Sequence, residues 1–502
     1  MRSAFVNQLF VVPVTLAGYL GCYHARPEYF HGLSSSACVW NFILLHSILW
    51  AIFILEVYPR FICPLRSLPA PKGGYPLVGY GFSRFRKPVG SDHLQFIRDV
   101  PNNGLIRYRG FWNQNNVLLV SAEALAEVLV KRPYDFRKRL LPSFGFRSIK
   151  ELHPLFWRKS AKLVQCMEAD LFQNSEKGTE AITDINFWST KVTLDMIGVA
   201  ALGRDFNTLE KSDDILVQSY EEILDPTPGK LAMFILSSYQ LTSLTRFIPG
   251  KVEKRFKLAT ATLREICMKF LQEKKSLMSN SQSISTDVLA KLIEMNEFAD
   301  IELVDQLLTF IAAGHETTSS TFAWVIYHLA RHPDIQSRLR EELRTYVKPN
   351  DLENDTVDIS SLLEGLPLLN GVINESLRLF PTVPLTMRTP AKPTTLIGLL
   401  KLGVQHQKFS ILSVGLIPPQ KKPNNTGGAD NNYSIMTFLH GPHTCIGQGF
   451  AKGELRALTA NVVAAFEIAM AYPENNPIPA GLITTKPEGG MWVKLKRVEA
   501  LN

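Results

Sequence analysis

The chain has 502 residues, of which 46% are apolar and 20% are charged, a balance that excludes a disordered or fibrous protein. Its 54 basic and 46 acidic residues give a formal net charge of +8. The basic residues form no run of five or more, so we expect an acidic partner or a membrane surface and no nucleic acid. The six cysteines contain no CxxC pair, which argues against a disulfide scaffold or a four-cysteine zinc module and favours a reducing compartment.

The N-terminal region is apolar enough to enter a membrane. Residues 38–55 carry no formal charge over 18 positions, which is near the minimum for a transmembrane helix. Residues 4–23 are also uncharged but contain polar residues and a proline, so one or two spans remain open. The alternative is a signal peptide followed by a buried helix, but no small-residue cleavage site follows residue 55. Basic residues lie after this stretch, and the positive-inside rule then keeps everything after residue 60 in the cytosol.

Prolines and glycines between residues 64 and 80 predict a stiff, non-helical hinge between an anchor (1–63) and a body (81–502). Apolar residues spaced three to four apart predict helices in the body at 122–131, 187–202, 252–275, 301–331, 335–346 and 362–380. Short strands are predicted at 104–108, 116–120 and 491–497. The predicted fold class is therefore mainly α with small β sheets.

A first motif, AGHETT at residues 313–318, lies in the middle of the longest predicted helix. A glycine there weakens the helix by about 1 kcal/mol. Such a violation of local propensity favours a groove where a ligand approaches the backbone. Glu316 beside the Thr317 hydroxyl could relay protons into that groove. The alternative is a small-residue packing notch beside a solvated Glu316.

A second motif pairs Glu375 with Arg378, three residues later on a predicted helix and just before Phe380-Pro381. Pairs of this kind usually lie on surfaces and contribute only a few tenths of a kcal/mol. Taken alone, this pair indicates no function.

A third motif, SIMTFLHGPHTCIG at residues 434–447, joins a strand-like segment (434–438) to a predicted helix at 449–466. The amide dipoles of a helix lower the pKa of a thiol at its entrance, so Cys445 could be a thiolate ligand. Gly441 and Gly447 would let the backbone approach a flat cofactor. Two alternatives remain, a cysteine buried in a turn and a zinc site with two histidines of the loop, which lacks a fourth ligand.

The three motifs together are more specific than each one alone. Glu316 and Glu375 are 59 residues apart, and Arg378 and Cys445 are 67 residues apart. In this order, the motifs resemble those of the cytochrome P-450 family of haem-thiolate monooxygenases, especially its membrane-bound fungal members. The resemblance runs from the proline-rich hinge to the C-terminus. It implies the mainly α fold of that family, in one catalytic domain, and a haem b cofactor.

The resemblance also implies a role for each motif residue. Cys445 would be the axial ligand of the haem iron, and its negative charge would favour cleavage of the O–O bond. Thr317 would hold the oxygen molecule, Glu316 would supply protons, and Glu375 with Arg378 would form a structural pair beneath the haem. The other residues implied to bind the cofactor are Phe438, Gly441, His443, Gly447, Arg388, Ala313 and Gly314, of which the last two would open the groove for oxygen.

The partners follow from the same resemblance. Because the sequence has no flavin or nicotinamide signature, electrons from NADPH would come through a separate NADPH–cytochrome reductase, and the net charge of +8 agrees with an acidic partner. The implied place is the endoplasmic reticulum membrane, with the catalytic domain facing the cytosol. The substrate would be an apolar small molecule, and we expect a fungal secondary metabolite such as a terpenoid or a polyketide.

Three departures from the family pattern accompany these matches. His443 stands where the family usually has an arginine that contacts a haem propionate. Directly after residue 136, a selectivity loop and a basic helix that clamps the haem are missing. Residues 399–422 lack the family's strand pair and its Pro-Glu-Arg motif. The two abrupt losses suggest coding segments that are missing or misread, which sequencing of the transcript would test.

Two function classes therefore remain. The first is a haem-thiolate monooxygenase that inserts one oxygen atom from O2 into an apolar small molecule. The second is a catalytically silent relative, or a misread chain, that keeps the membrane anchor and Cys445 but binds haem poorly. The intact pair of Glu316 and Thr317 favours the first class, whereas the missing haem clamp favours the second.

Overall fold

Most of the chain is described by a computed structural model. The described residues are 2–26, 28, 35–75, 78–129, 146–172, 180–210, 215–224, 227, 229–230, 232–233, 236, 250–279, 287–347, 357–388, 394–396, 400–402, 407–412, 426, 433–474, 476–481 and 484–498. Mutual contacts divide the chain into two compact units: residues 1–86, 90–128 and 385–412 form the first, and residues 87–89, 129–384 and 413–502 form the second. The predicted boundaries of anchor, hinge and catalytic domain (1–63, 64–80 and 81–502) stay predictions.

Helices dominate the described residues, and the strands are short. The α-helices are α1 (Arg2–Ala25), α2 (Ser35–Ile52), α3 (Ser91–Asp99), α4 (Ala122–Leu129), α5 (Phe146–Lys150), α6 (His153–Phe172), α7 (Ile185–Ile197), α8 (Ile215–Leu224), α9 (Gly250–Ser279), α10 (Val288–Met295), α11 (Asp300–Arg331), α12 (Pro333–Tyr346), α13 (Ile359–Glu364), α14 (Pro367–Leu379) and α15 (Gln448–Ala465). The strands are β1 (Leu105–Arg109), β2 (Asn115–Leu119), β3 (Glu180–Asp184), β4 (Leu385–Arg388), β5 (Thr394–Leu396), β6 (Leu400–Leu402), β7 (Gln407–Leu412), β8 (Phe466–Met470), β9 (Pro479–Ala480), β10 (Lys486–Pro487) and β11 (Trp492–Arg497). The predicted class, mainly α with small β sheets, is confirmed.

The first unit contains a candidate membrane span. Within the described residues, one helical stretch, Trp40–Ser67, is long and apolar enough to cross a membrane, with a mean hydropathy of 1.9. Helix α2 continues beyond Ile52 as a π-helix, Phe53–Ile62. Asn113 ties this part to the globular region, because its Nδ2 donates to the Leu55 carbonyl at 2.7 Å. The candidate span overlaps the uncharged stretch predicted at residues 38–55.

The prediction of a non-helical hinge is wrong for its first four residues. Pro64–Ser67 form one turn of 3-10 helix, with the proline at the first position, where a helix needs no amide donor. Further along, Tyr75 and Gly79 pair as an isolated antiparallel bridge.

Residues 399–422, in which the sequence predicts that the family's strand pair is missing, contain two short strands in the part that is described. Strand β7 lies between β2, to which it is parallel, and β4, to which it is antiparallel, in a sheet of order β1-β2-β7-β4. Strand β6 pairs with β5. The alternating apolar residues Phe409 and Ile411 suit a strand, which explains the pairing. Residues 413–425 and 130–145, which include the other predicted loss, lie outside the described residues.

Helix α11 runs through the core of the second unit. It packs against α7, α9 and α15, while α6 packs against α15 and α7. Trp324 of α11 is fully buried and stacks on Phe380, with ring centroids 4.1 Å apart. The long helix predicted at 301–331 is confirmed, whereas the helix predicted at 362–380 is divided into α13 and α14. The reason is that Gly365 follows the first helix and Pro367 begins the second.

Two further local differences concern the second unit. Helix α6 is not among the predicted helices, although Phe156, Leu163 and Met167 are buried at helical spacing. The strand predicted at 434–438 is wrong, because this segment folds into turns. The amide of Leu439 donates to the Met436 carbonyl, and Leu439 has a positive φ of 59°.

Arg340 fixes the carboxyl end of α15. It is buried, and its guanidinium donates to the Val463 carbonyl at 2.9 Å and to the Phe466 carbonyl at 2.8 Å. We expect Arg340→Met to lower the free energy of unfolding by about 2 kcal/mol or more, since it leaves buried carbonyls without donors. Urea denaturation followed by tryptophan fluorescence measures this. Arg338→Met, on the exposed side of the same helix, is the matched control, and an equal effect of both variants would contradict the assignment.

Candidate active site

The loop before α15 presents Cys445, which is exposed. The loop is closed by its backbone, since the Cys445 amide donates to the Phe438 carbonyl at 2.7 Å. Gly441 has a positive φ of 73°, which suits a residue without a side chain, and it begins a short 3-10 helix of one turn, Gly441–His443. Helix α15 starts at Gln448, so the thiol lies within one turn of the positive end of the helix dipole. This setting favours a thiolate that can bind a metal.

Two more of the predicted cofactor residues flank Cys445. Gly447 lies beside the sulfur, since a Cβ built on it would be 3.9 Å from Cys445 Sγ, an ordinary van der Waals distance. The ring of Phe438 has Lys452 Nζ 5.9 Å from its centroid, a cation–π contact. Burial lowers the pKa of Lys452 to about 8, and the nearby Arg456 adds to this shift. Lys452 therefore still carries its positive charge at pH 7.

The middle of α11 is buried except for a narrow strip. Thr309 and Ala313 are exposed and Thr317 is half-buried, and these positions follow one another at intervals of four residues on one side of the helix. The Thr317 Oγ1 donates to the Ala313 carbonyl at 2.7 Å. Glu316 and Thr318, on either side of Thr317, are buried. The strip therefore presents small side chains, two of which carry hydroxyls.

Gly314 lies outside this strip and packs on α7. A Cβ at Gly314 would lie 2.7 Å from Cδ1 and 2.8 Å from Cγ1 of Ile197 on α7. The missing side chain therefore lets α11 and α7 approach each other. The roles expected for Ala313 and Gly314 in opening an oxygen groove stay predictions.

Glu316 has a charged partner that the sequence motifs do not reveal. The Glu316 Oε1 lies 3.4 Å from the Nζ of Lys486, a half-exposed residue on β10. The neighbouring hydroxyl of Ser320 donates to the Thr485 carbonyl, so the β9–β10 hairpin packs along this side of α11. No sequence signal connects Lys486 to Glu316, because 170 residues separate them and a lone lysine forms no motif. The ion pair links a buried carboxylate to solvent.

The predicted pair on α14 is present and bidentate. The Nε of Arg378 donates to Oε2 of Glu375 at 2.8 Å, and its Nη2 donates to Oε1 at 2.6 Å. Arg378 is buried, and the hydrogen bond to Glu375 raises the pKa of its guanidinium. A buried bidentate pair is a folding element rather than a surface pair of small effect.

The side chains of two predicted site residues, His443 and Arg388, are outside the described set. His443 ends the 3-10 turn of the loop, and Arg388 ends β4 in the first unit. Their haem contacts stay predictions.

The described residues of the second unit fit a flat, thiolate-bound cofactor in two respects. Cys445 is exposed at the entrance of a buried helix, and Ala313 is exposed on a helix that is otherwise buried around it. Concave, mostly apolar surfaces with a few placed polar groups are typical of ligand sites. Cys445 would hold the iron, and the strip would face the ligand.

The close contact at Gly314 gives a test. Gly314→Ala is expected to lower the free energy of unfolding by about 1–3 kcal/mol, since the new methyl group overlaps Ile197. In an Ile197→Ala background, the decrease in the free energy of unfolding caused by Gly314→Ala should be smaller by at least about 1 kcal/mol, because Ile197→Ala has vacated the space. Urea denaturation of the four proteins of this double-mutant cycle measures the coupling. Strictly additive effects would show that Gly314 does not pack on Ile197.

Comparison with known proteins places these features in a family. The pattern of the cytochrome P-450 family matches residues 82–402. The chain is 32% identical to the cytochrome P-450 monooxygenase ptmK of Penicillium ochrochloron, over 91% of this chain and 98% of that protein. It is 31% identical to the cytochrome P-450 monooxygenase sphH of Aspergillus fumigatus, over 97% of this chain and 98% of that protein. The latter alignment spans 541 positions, more than this chain has residues, so the relative has residues without a counterpart here.

A solved structure agrees in fold. The crystal structure of the haem domain of a cytochrome P-450DA mutant matches with a TM-score of 0.69, covering 86% of this chain and 98% of that one at 18% identity. Taken with the sequence relatives, the chain belongs to the cytochrome P-450 family of monooxygenases.

Proposed function

We propose that the chain is a haem-thiolate monooxygenase that inserts one oxygen atom from O2 into an apolar small molecule, with Cys445 as the axial iron ligand. The observation that carries this proposal is the exposed Cys445 in a backbone-closed loop at the amino end of α15. Bound haem b would supply the activation of oxygen, which a thiolate ligand favours. Phe438, Gly441 and Gly447 would shape the loop against the cofactor.

Two residues of α11, Thr317 and Glu316, would transfer protons to the reaction site. Thr317 Oγ1 is on the open strip, and it can exchange its hydrogen bond to the Ala313 carbonyl for one to a ligand. Glu316 is the adjacent acid, and Lys486 connects it to solvent at 3.4 Å. A buried acid with one contact to a half-exposed base is suited to pass protons from water toward the hydroxyl. Ala313 would keep the space beside Thr317 free.

The biological setting is part of the same proposal. The relatives are fungal proteins named as monooxygenases, which supports oxidation of a substrate by this chain. The substrate that we propose is a fungal secondary metabolite, such as a terpenoid or a polyketide. The apolar stretch Trp40–Ser67 supports an anchor in the endoplasmic reticulum membrane, with the catalytic domain in the cytosol. Electrons would come from NADPH through a separate NADPH–cytochrome reductase, and a net charge of +8 supports an acidic partner.

The thiolate assignment is tested by a spectrum. Reduced membranes that contain the chain are expected to give a strongly red-shifted Soret band with carbon monoxide, and Cys445→Ala is expected to abolish it. Cys166→Ala, at a half-buried cysteine of α6, is the matched control and should keep the band. A thiolate-type band in Cys445→Ala would refute the assignment. A well-expressed parent chain without any haem signal would instead favour the catalytically silent relative.

The proton-transfer role of Thr317 predicts uncoupling. In Thr317→Ala we expect the product formed per oxygen consumed to fall by about tenfold or more, because a positioned proton donor is lost. Parallel measurements of oxygen uptake, hydrogen peroxide and product, with reductase and NADPH, check this ratio. Thr345→Ala on α12 removes a hydroxyl with the same kind of hydrogen bond, to the Glu341 carbonyl, and should leave it unchanged. Unchanged coupling in Thr317→Ala would remove Thr317 from the mechanism.

A further inference from the structure

A carboxyl group is buried nine residues after Cys445. Glu454, on α15, is 0% exposed, and neither of its carboxyl oxygens has a hydrogen-bond partner among the described residues. Thr318, on α11, is 2% exposed, and its Oγ1 has no partner within the same part of the chain. Thr318 is the residue directly after Thr317. Two orphan polar groups thus belong to the two helices that carry the proposed ligand and the proposed proton donor.

A carboxylate in this position would be costly, because burying an unpaired charge is far less favourable than burying a neutral acid. Burial raises the pKa of Glu454 well above its usual range, and the Thr318 hydroxyl opposes this shift only in part. A neutral carboxylic acid is both a donor and an acceptor, whereas a carboxylate only accepts. The protonated form can therefore satisfy Thr318 as well as itself.

Groups on the elements that pack against α15 do not supply a counter-charge to Glu454. Several of these groups have other partners: Lys150 on α5 pairs with Asp358, Glu316 on α11 with Lys486, Glu364 on α13 with Arg456, and Arg378 on α14 with Glu375. Arg340 on α12 donates to backbone carbonyls, and Glu467 on β8 is exposed. Burial lowers the pKa of His153 on α6 and of His315 on α11, which favours their neutral forms. Thr318 is therefore the polar group that acts on Glu454.

We propose that Glu454 is held in the folded chain as a neutral carboxylic acid that hydrogen-bonds to the Thr318 hydroxyl and thereby fixes α15 against α11. Glu454 is then a positioning residue that acts through the packing of α15 on α11. It sets the distance and rotation between the helix that follows Cys445 and the turn that carries Thr317. The hydrogen bond made with the Glu454 proton thus links the helix that follows Cys445 to the helix that carries Thr317.

The inference is tested by the pH dependence of unfolding. The folded chain keeps a proton on Glu454 at pH values where the unfolded chain releases it. Stability is therefore fullest below the usual range of a glutamate and falls as pH rises toward the raised pKa. Relative to Glu454→Gln, we expect the unfolding constant of the parent chain to rise by up to about tenfold per pH unit as the pH increases from the usual range of a glutamate toward the raised pKa. Urea titrations of the full-length chain in detergent measure both constants.

The matched control is Glu467→Gln, at an exposed glutamate two residues after α15, which should follow the parent chain at every pH. Parallel curves for the parent and Glu454→Gln would overturn the proposal, because Glu454 would then gain no proton on folding. Infrared spectroscopy covers the case in which Glu454→Gln does not fold. At a pH just above the usual range of a glutamate, the parent chain should show a carboxylic-acid carbonyl band, and Thr318→Val should shift this band to higher frequency by removing the hydrogen bond. An absent band, or one that Thr318→Val leaves unchanged, would contradict the pairing.

Both measurements are independent of haem and of turnover. Failure of Cys445→Ala to change the carbon monoxide spectrum would therefore leave this inference intact, and parallel unfolding curves would leave the proposed function intact.

Discussion

The close packing of α11 on α7 determines which side chains of the central helix can reach a ligand. Because Gly314 has no Cβ, Ile197 fits against the α11 backbone and fixes the rotation of the helix about its axis. Successive residues of an α-helix point about 100° apart. With one side against α7, Ala313 and Thr317 face open space, and Glu316 faces the β9–β10 hairpin. Glu316 can therefore contact a half-exposed lysine while the adjacent Thr317 hydroxyl lies on the open strip.

The sulfur of Cys445 is oriented by backbone rather than by side-chain packing. The hydrogen bond to the Phe438 carbonyl closes the loop on one side, and the first turn of α15 begins on the other. The far end of α15 is held by Arg340 through two carbonyls. The thiol of Cys445 is exposed although the backbone around it is closed. The loop can therefore be both rigid and accessible.

Local spacing predicts the parts of the site that lie within one segment. The long helix α11, the loop of Cys445 and the acid–base pair on α14 were all readable from short patterns and their order. What could not be read depends on partners that are distant in sequence. Gly314 acts through Ile197 and Glu316 pairs with Lys486, and no periodicity encodes either contact. Glu454 lies within a regular helix, where only its burial against α11 makes it unusual. The turns at residues 434–438 also could not be predicted from local sequence. Their composition is typical of a strand, but the hydrogen bonds that close the loop determine their conformation.

The place of β11 in its sheet has a consequence for how the protein is made. Trp492–Arg497 is the middle strand of the sheet β3-β11-β8, and β3 is synthesised about three hundred residues earlier. β3 and β8 share no partner in that sheet except β11, so the sheet cannot form before β11 has left the ribosome. Until then β3 and β8 lack this partner, and strand edges without partners can pair with other chains. Every motif of the site is therefore synthesised before the sheet is complete, and a transcript that ends before codon 492 encodes all of these motifs without the strand that closes the sheet.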